Sequence, residues 1–427
     1  MPDKRPLAEH VLLPEQLCVG LHVHLDLPWT AHPFTFSSFK IKTQAQVSAI
    51  QALGLPRIRY TPERSDCAPL PPGRPGPETQ PPALPQRDQD PAFTAKRERM
   101  QRLAAQRARA GACEKALLSA ARTVKAVNQN VFARPQEVLA SASSMIQDLA
   151  DSMLVDADVS IQLMADKVSG EDVHFHALNV ALLSMMLAKE LKASASQIHM
   201  VGMAGLFHDI GELEIPDRVL RAHDARTRAE TALFQMHGEY GVQIGKKLGL
   251  NAEVLQVIAQ HHEKVDGSGY PLGLRAAQMS LMSRIVSVVN AYDELCNPPD
   301  AGKALTPHEA LSLMFSQQRQ QFDPLALSTF VRCMGVYPPG TIVVLSNGVI
   351  AMVVSVNTSK PLRPVVLVHD PAVPRDEAIV VDLEAEPDVS ITRTMRPQQL
   401  SVEAFAYLSP RKRMTCFFDT AGPHQGA

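Results

Sequence analysis

The sequence Leu206-Phe207-His208-Asp209-Ile210-Gly211 places a histidine and an aspartate side by side at the end of an apolar run. A second pair, His261-His262, occurs later in the chain, and the glycine-containing segment Asp266-Gly267-Ser268-Gly269-Tyr270-Pro271 follows it closely. Imidazole and carboxylate groups together suit Mn, Fe, Co or Zn, and two such ions held close together can bind a phosphodiester. Glycines allow a backbone to approach a ligand. The pattern indicates a metal site with a ligand-binding loop beside it.

Five histidines occupy helical positions at which apolar residues are expected. One of them begins the apolar stripe of a helix predicted over residues 173–192, and the others continue similar stripes. A single histidine of this kind is more often an ordinary core residue. Five such residues converging with Asp209 would be costly to bury without partners, and metal ligation explains all of them. The five are His176, His208, His237, His261 and His262.

The composition limits the class of protein. The length of 427 residues predicts two or three domains, and the hydrophobic content of 45% suffices for a sizeable core. The net charge of −2 argues against a dedicated nucleic-acid-binding protein. Six cysteines without C-x-x-C spacing indicate reduced thiols, and no apolar run reaches the roughly 18 residues of a membrane span. Because Pro14 also interrupts the first apolar stretch, we expect a cytoplasmic protein without a signal peptide.

Composition and hydrophobic pattern divide the chain into six segments. Short strands within Val19–Leu25 and Phe34–Ile41, followed by a helix at Val47–Leu53, predict a small α+β domain. Asn347-Gly348 between two apolar runs predicts a hairpin near the C-terminus. The predicted segments are a small N-terminal α+β domain (1–61), a flexible proline-rich linker (62–92), long helices connecting to the core (93–168), a helical metal-binding domain (169–332), a small β-rich domain (333–410) and a disordered tail (411–427).

The connecting helices carry two features with alternative explanations. The basic segment 96–125 could bind nucleic acid or an acidic membrane surface, but a solvated helix or coiled coil is favoured because no aromatic residues interleave. A methionine stripe could pair two chains into a homodimer, although packing within one chain is favoured. A protein partner could bind the N-terminal domain or these helices. The stripe consists of Met145, Met153 and Met164.

The motifs together resemble the HD-GYP subgroup of the HD superfamily of metal-dependent phosphohydrolases. Besides the segments already quoted, Ile215-Pro216 and Glu263 after the histidine pair match the family pattern. The resemblance covers about residues 170–332, and it is specific because several separate motifs occur in the right order. Residues 9–60 and the strand-rich C-terminal region resemble the flanking regions of one HD-GYP subgroup. The resemblance implies a mainly α fold, with a helical HD-type domain, a small N-terminal α+β domain and a small β-rich C-terminal extension.

The resemblance also implies an activity, namely hydrolysis of the bacterial second messenger cyclic di-GMP at two, sometimes three, iron or manganese ions. A hydroxide bridging the ions would attack phosphorus. Asp209 would bridge two ions and act in catalysis together with His208 and Glu212. The implied metal ligands are His176, His208, Asp209, His237, His261, His262 and Asn290. The implied substrate-binding residues are Gly267, Gly269, Tyr270, Pro271 and Lys303.

One residue of the predicted ligand set departs from the family pattern, and the residue that would complete a third metal site is left open. Asn290 stands where the family has an aspartate ligand, and an amide oxygen is a weaker donor than a carboxylate. Asp293 lies one helical turn further on and could compensate, although the family position is usually structural. Glu171 or Asp172 could complete a third metal site, as an acidic residue does in some family members.

Two further departures concern the substrate. Glu212 replaces a family lysine that helps hold the phosphate, so it would repel the substrate, ligate a metal, act as a base or point away. Residues 296–303 lack the family's Arg-Pro-Tyr-Arg-like element, which leaves Lys303 as the candidate cation. Three hypotheses follow: an active cyclic di-GMP phosphodiesterase, which we favour because six ligands are intact, a degenerate protein that binds nucleotide or a protein partner, and a phosphohydrolase of another nucleotide.

Overall fold

The computed structural model describes the chain in several stretches. They are residues 10–27, 32–34, 36–72, 119–155, 160–163, 172–357, 360–371, 373, 375, 378–408 and 416–419. The contacts between residues divide the chain into two compact units. The first comprises Met1–Gln106 with Asp370–Ala378, and the second comprises Arg107–His369 with Ile379–Ala427.

The first unit contains the small α+β domain that the sequence predicts. Four short strands form an antiparallel sheet in the order β1-β4-β2-β3, and helix α1 (Gln44–Ala52) lies between β3 and β4 in the chain. Thr43 begins α1 with a capping box, in which its side chain accepts from the backbone of Gln46. Strands β1 and β4 escaped prediction because three residues are too few to show an alternating pattern. The strands are β1 (His10–Leu12), β2 (His22–His24), β3 (Ser38–Lys40) and β4 (Ile58–Tyr60).

The described beginning of the proline-rich linker packs against this sheet domain. Pro62–Arg64 form a 3₁₀ turn, and the Leu70 amide donates to the Gln16 carbonyl at 2.9 Å. The prediction of a flexible segment is therefore wrong for residues 62–72, where backbone hydrogen bonds to the domain fix the chain. The rest of the predicted linker, residues 73–92, lies outside the described residues.

The second unit is built around a helical core, as the sequence predicts. Its central helices, α4 and α5, pack closely, and residues such as Leu183, Val201 and Phe207 are completely buried. Each buried side chain of this size contributes about 1.5–3 kcal/mol to folding. The helices are α2 (119–130), α3 (Pro135–Val155), α4 (Asp172–Glu190), α5 (Ala195–Phe207), α6 (Asp217–Ala222), α7 (Arg228–Gln235), α8 (His237–Leu248), α9 (Ala252–Gln260), α10 (Leu281–Cys296), α11 (Pro307–Ser316) and α12 (Pro324–Met334).

The helices before the core pack onto it directly. Residues of α2 and α3, among them Val124 and Ile146, belong to the same buried cluster as α4 and α5. Met145 packs against this cluster, which agrees with packing within one chain, whereas the side chains of Met153 and Met164 lie outside the described residues. Most of the basic segment 96–125 also lies outside them.

A five-stranded antiparallel sheet forms the C-terminal extension, in the order β10-β6-β7-β8-β9, and helix α13 (Val402–Leu408) follows it. The predicted hairpin joins β6 and β7, with Gly348 at a φ of 81°. Strand β10 was not predicted. The strands are β6 (Ile342–Leu345), β7 (Ile350–Ser355), β8 (Val365–Val368), β9 (Ile379–Asp382) and β10 (Ile391–Met395).

A separate two-stranded sheet corrects the prediction of a disordered tail. Strand β5 (Ser160–Leu163) pairs antiparallel with β11 (Cys416–Asp419). The run Cys-Phe-Phe suits a strand, and pairing satisfies its backbone groups. Four residues of the predicted tail are therefore ordered, and the segment 93–168 contains a strand besides its helices. Among the described helices, none has the length and hydropathy of a membrane span.

Candidate metal centre

Asp209 lies where several helix ends meet. It follows α5 directly and begins a 3₁₀ segment, Ile210–Glu214. His237 is the first residue of α8, directly after a turn at Met236 that separates α7 from α8. The junction needs glycine at position 211, since a Cβ there would lie 1.9 Å from the His237 carbonyl oxygen. The missing side chain lets the segment after Asp209 pack directly on the start of α8.

The two carboxylate oxygens of Asp209 face different histidines. Its Oδ2 lies 3.4 Å from Nε2 of His176 and 3.1 Å from Nε2 of His208. Its Oδ1 lies 3.6 Å from Nε2 of His237 and 3.3 Å from Nε2 of His261. Two ligand groups therefore share Asp209: one with His176 and His208, the other with His237, His261 and His262.

Backbone carbonyl groups determine which ring nitrogen of three histidines is free. Nδ1 of His208 donates to the Gly205 carbonyl at 2.8 Å, and Nδ1 of His237 donates to the Phe234 carbonyl at 2.7 Å. Nδ1 of His261 likewise donates to a carbonyl three residues earlier, at 2.7 Å. Because a carbonyl oxygen only accepts, Nδ1 carries the proton and the neutral ring presents its Nε2 lone pair to Asp209.

Pairs of these Nε2 atoms lie close together. The Nε2 atoms of His176 and His208 are 3.1 Å apart, and those of His237 and His261 are 3.0 Å apart. Because Nδ1 of both His237 and His261 donates to a carbonyl, neither Nε2 of that pair carries the proton, and the two nitrogens repel each other unless a cation lies beside them. The donor set of imidazole nitrogens and a shared carboxylate suits divalent iron or manganese. On these observations the residues present fit two metal ions.

The pKa shifts at the centre have clear physical causes. Burial lowers the pKa of His261 to about 4 and that of His262 well below its usual value, so both are neutral and able to ligate. Burial alone would lower the pKa of His176, but hydrogen bonds to Asp209 and Asp293 raise it well above the usual value. Burial likewise opposes ionisation of Asp209, yet the surrounding imidazoles of His176, His208 and His261 hold its pKa well below normal.

A cavity of about 330 Å³ opens beside the second ligand group. Asn290 is only 2% exposed, and its Oδ1 has no hydrogen-bond partner among the residues that the structure describes. An unpaired buried amide oxygen on the wall of this cavity could serve as a fifth contact for a cation held by Asp209, His237, His261 and His262. The cavity lining includes His261, His262, Lys264, Asn290, Glu294 and Phe322.

Ring stacking and hydrogen bonds hold the glycine-containing loop (residues 266–274) against His262 and Glu263. The Tyr270 ring stacks on His262 with centroids 4.6 Å apart, and burial raises the Tyr270 pKa above its usual value. The buried Glu263 carboxylate accepts from the amides of Leu272 and Leu274 at 2.7 and 2.8 Å. Position 269 requires glycine because a Cβ there would lie 2.5 Å from the His262 carbonyl oxygen.

The remaining predicted residues take different positions. Gly267 adopts a φ of 85° in the turn of the loop, and Pro271 is exposed behind Tyr270. Glu212 follows Asp209 in the 3₁₀ segment, where burial and then the Asp209 charge raise its pKa to about 8. Lys303 is exposed in a short turn after α10 and lies outside the described lining of the cavity. The side chains of Glu171 and Asp172 are outside the described residues.

Sequence reasoning named Asp293 and Glu263 but did not predict the roles that the structure gives them behind the candidate ligands. Asp293 does not face the cavity: its Oδ2 lies 2.7 Å from Nδ1 of His176, and its Oδ1 accepts from Asn179 and Asn297 at 2.9 and 3.0 Å. The carboxylate thus orients His176 and does not replace the missing aspartate ligand. The loop-fastening role of Glu263 was also missed, although its place directly after His262 was a signal.

Comparisons with known proteins agree with this architecture. A family model described as an HD domain matches residues 158–325. A domain of unknown function matches residues 12–142, and a KOW domain associated with the HD domain matches residues 342–403. The boundaries that we predict for the six segments remain predictions.

Three curated relatives illustrate the similarity. A cyclic di-GMP phosphodiesterase of Pseudomonas aeruginosa is 31% identical over 53% of this chain and 54% of its own length. The 3'3'-cGAMP-specific phosphodiesterase 3 of Vibrio cholerae is 29% identical over 38% of this chain and 35% of its own. The cyclic di-GMP phosphodiesterase response regulator RpfG of Xanthomonas campestris pv. campestris is 32% identical over 34% of this chain and 39% of its own.

The chain contains an HD domain at residues 158–325, preceded by a match to a domain of unknown function at residues 12–142, and it is similar to curated cyclic dinucleotide phosphodiesterases. It spans about half or less of the length of these curated relatives.

Proposed function

We propose that the protein is a metal-dependent phosphodiesterase that hydrolyses cyclic di-GMP in bacterial second-messenger signalling. The observation that carries this proposal is the arrangement around Asp209, whose two oxygens serve two separate histidine groups. Such a shared carboxylate suits two neighbouring cations. When bound, these supply Lewis-acid polarisation of a phosphodiester and lower the pKa of water. The HD domain model and the relatives named for cyclic dinucleotides support the same class of reaction.

The chain's own residues would hold the ions and orient the substrate. His176, His208 and Asp209 form one ligand group, and Asp209 is shared with the group of His237, His261 and His262. Asn290 would add an amide oxygen to the second group, because its Oδ1 is buried and has no partner in the described part of the chain. The carbonyl groups that accept from Nδ1 keep each ring in the ligating orientation. Iron or manganese is the proposed metal.

Two other features would act on the substrate. The fastened loop with Gly267, Gly269, Tyr270 and Pro271 would form a wall against the backbone or base of a dinucleotide, because the Tyr270 ring covers His262. Glu212 would accept or hold a proton near the reacting phosphate, or add a ligand, because it follows Asp209 within one short segment. Lys303 remains a candidate phosphate contact from the sequence alone. A cytoplasmic location, a protein partner and a homodimer also remain predictions.

The test is turnover of cyclic di-GMP by the full-length protein loaded with Mn²⁺ or Fe²⁺. We expect linear and then shorter guanine nucleotides by chromatography, and a loss of at least about 10³-fold in kcat for Asp209→Ala. Cyclic di-GMP and 3'3'-cGAMP should be compared, because the relatives are named for both substrates. Glu212→Gln tests the proton-handling role, and an unchanged kcat with a changed KM would assign Glu212 to binding alone. Metal-loaded protein that cleaves neither dinucleotide would overturn the proposal.

A further inference from the structure

Among the described residues, the Asn290 side-chain amide has a hydrogen-bond partner for its nitrogen but not for its oxygen. Its Nδ2 donates to Oε1 of Glu294 at 3.0 Å, one helical turn further along α10. Its Oδ1 has no partner within the described stretches, although the side chain is only 2% exposed. Buried amide oxygens normally find a hydrogen-bond partner, so an unpaired one beside candidate metal ligands points to a cation.

Glu294 determines which end of this amide is free. The Glu294 side-chain oxygen accepts from Nδ2, so this hydrogen bond selects the orientation in which Nδ2 faces Glu294. The opposite orientation would bring the amide oxygen against a carboxylate oxygen, which is repulsive. Asn290 and Glu294 line the same cavity as His261 and His262. The selected orientation therefore leaves the amide oxygen available to the group that contains these two histidines.

We propose that Glu294 is a positioning residue of the second metal site, a role that rests on the proposed function. It holds the Asn290 amide with its oxygen free for the ion at Asp209, His237, His261 and His262.

A metal-binding experiment separates this role from a simple helix-surface contact. The full-length protein and its variants are stripped of metal and titrated with Mn²⁺ by calorimetry, with bound ions counted by mass spectrometry. In Glu294→Gln the new amide can donate as well as accept, so Asn290 loses its fixed orientation. We expect the affinity for the second ion to fall at least about tenfold, while the first ion is retained.

A double variant and a matched control complete the design. Asn290→Asp combined with Glu294→Gln moves the carboxylate onto the ligand itself, and affinity for the second ion should return to within about threefold of the original. Glu253→Gln, an exposed change on α9, should leave binding unchanged. Wild-type affinity in Glu294→Gln, or no recovery in the double variant, would overturn the role of Glu294. If the unmodified protein binds no Mn²⁺, the proposed function fails together with it.

A second, independent observation concerns two cysteines of the N-terminal domain. The Sγ atoms of Cys18 and Cys67 lie 3.3 Å apart, although the residues are 49 positions apart in the chain. Both thiols are free, Cys67 is exposed and Cys18 is half-buried. Oxidants therefore reach Cys67 directly, with Cys18 in position behind it.

The backbone on both sides of Cys67 is fixed against the turn that contains Cys18. The Asp66 amide donates to the Gly20 carbonyl at 2.8 Å, and Leu70 donates to Gln16 at 2.9 Å. A Cβ at Gly20 would lie 3.1 Å from the Cys67 sulfur, so the missing side chain makes room for it. The two sulfur atoms can therefore approach bonding distance by side-chain rotation, without rearranging the sheet.

We infer that Cys18 and Cys67 are a reversible oxidation site, with hydrogen peroxide as the oxidant. Peroxide transfers one oxygen atom to the Cys67 sulfur, which gives a sulfenic acid and one water. The Cys18 sulfur then displaces the hydroxyl group, and its proton leaves with that group as a second water. The two thiols are oxidised to one disulfide and the peroxide is reduced to two waters, so atoms and electrons balance.

The disulfide would close a loop around most of the small sheet domain, because β2, β3, α1 and β4 all lie between the two cysteines. A cross-link of this length stabilises a domain chiefly by restricting its unfolded chain. Hydrogen exchange at the amides of β2 and β4 reports the unfolding of this domain, because both strands belong to its sheet and lie between the two cysteines.

Peroxide treatment of the full-length protein followed by peptide mapping tests the site. We expect a peptide that links Cys18 to Cys67, hydrogen exchange in β2 and β4 that is at least about tenfold slower, and reversal of both by dithiothreitol. Cys18→Ser and Cys67→Ser should lose the linked peptide, whereas Cys113→Ser should keep it. Peroxide that yields only sulfinic or sulfonic acids, or disulfides between chains, would overturn the inference.

Discussion

The Nδ1 atom of His176 lies 2.7 Å from Oδ2 of Asp293, although the two residues are 117 positions apart in the chain. Asp293 is 2% exposed, and its other oxygen accepts from Asn179 and Asn297. A carboxylate behind a ligating histidine fixes the ring and makes its free nitrogen a better donor. Asp293 therefore connects α10 to the metal centre through His176 and not through a ligand bond of its own.

The first prediction concerns this carboxylate. Asp293→Asn keeps the shape but removes the charge that orients His176. We expect affinity for the ion at His176, His208 and Asp209 to fall about 10- to 100-fold, as measured by Mn²⁺ titration calorimetry. Asn297→Ala, which removes a hydrogen bond to Asp293 but keeps its charge, should cost less than tenfold. Equal affinities in the original protein and Asp293→Asn would contradict this role.

The second prediction concerns the packing of the segment after Asp209. In Gly211→Ala the new Cβ would lie 1.9 Å from the His237 carbonyl oxygen and 2.4 Å from the Gly241 nitrogen. The segment must move, which should lower the free energy of unfolding by about 1–3 kcal/mol or more and weaken metal binding. Urea denaturation and metal titration measure both effects.

Gly238→Ala is the matched control, because its Cβ would meet nothing closer than the Ile258 oxygen at 3.5 Å. Since alanine is the better helix former, we expect unchanged or slightly higher stability, by up to about 1 kcal/mol. Similar losses in the two variants would show that the close approach at Gly211 is not what positions Asp209.

The third prediction concerns the loop over His262. Glu263→Gln replaces the carboxylate that accepts from Leu272 and Leu274 with a group that has one acceptor oxygen. One of the two amides loses its partner, at a cost of about 1.5–3 kcal/mol. Hydrogen exchange at residues 267–274 should accelerate at least tenfold, about the effect of 1.4 kcal/mol. The exposed variant Glu253→Gln should keep the slow exchange, and slow exchange in both would refute this account of the loop.

The fourth prediction is a pH dependence in the N-terminal domain. Burial, and then the charges of Arg64, His24 and Lys40, lower the pKa of His22 from 6.5 to about 4. Its ring nitrogens have no hydrogen-bond partner in the described part of the chain. The unfolded chain binds a proton at His22 near pH 6.5 and the folded domain only near pH 4. Stability is therefore complete above pH 6.5 and is lost as the pH falls toward 4, by up to about 3 kcal/mol.

Urea unfolding at several pH values, followed by pulsed amide exchange and mass spectrometry of residues 36–60, measures this loss. His22→Phe removes the titrating ring and should flatten the decline between pH 6.5 and 4, while the exposed His10→Gln should keep it. The same decline in His22→Phe would contradict the assignment to His22.

Much of the centre could be predicted because a metal site imposes a pattern on the sequence. Imidazoles at apolar positions of helices identify the side that faces the core, and the structure brings all five predicted histidines to Asp209. The partners behind them were not predictable in the same way. Successive helix residues differ by about 100° in direction, so Asp293 and Glu294 face different surroundings, and only the packing of α10 shows which one reaches the cavity.

The strands show a second limit of what can be predicted from the sequence. The β6–β7 hairpin was predictable from Asn347-Gly348 because its turn is local. Strands β5 and β11 pair over a long separation in sequence, and neither is stable without the other. Local composition around Cys416 therefore indicated disorder where pairing with Ser160–Leu163 gives a strand.

The most direct test of the metal centre is a count of bound ions in the full-length protein and in Asp209→Ala. Because Asp209 is the one ligand common to both groups, its loss should affect both ions. Elemental analysis of protein purified with Mn²⁺ or Fe²⁺ should give about two ions per chain for the original protein and fewer than one for the variant. Equal occupancy in the two proteins, or no bound metal in either, would contradict a centre in which Asp209 is shared by two ions.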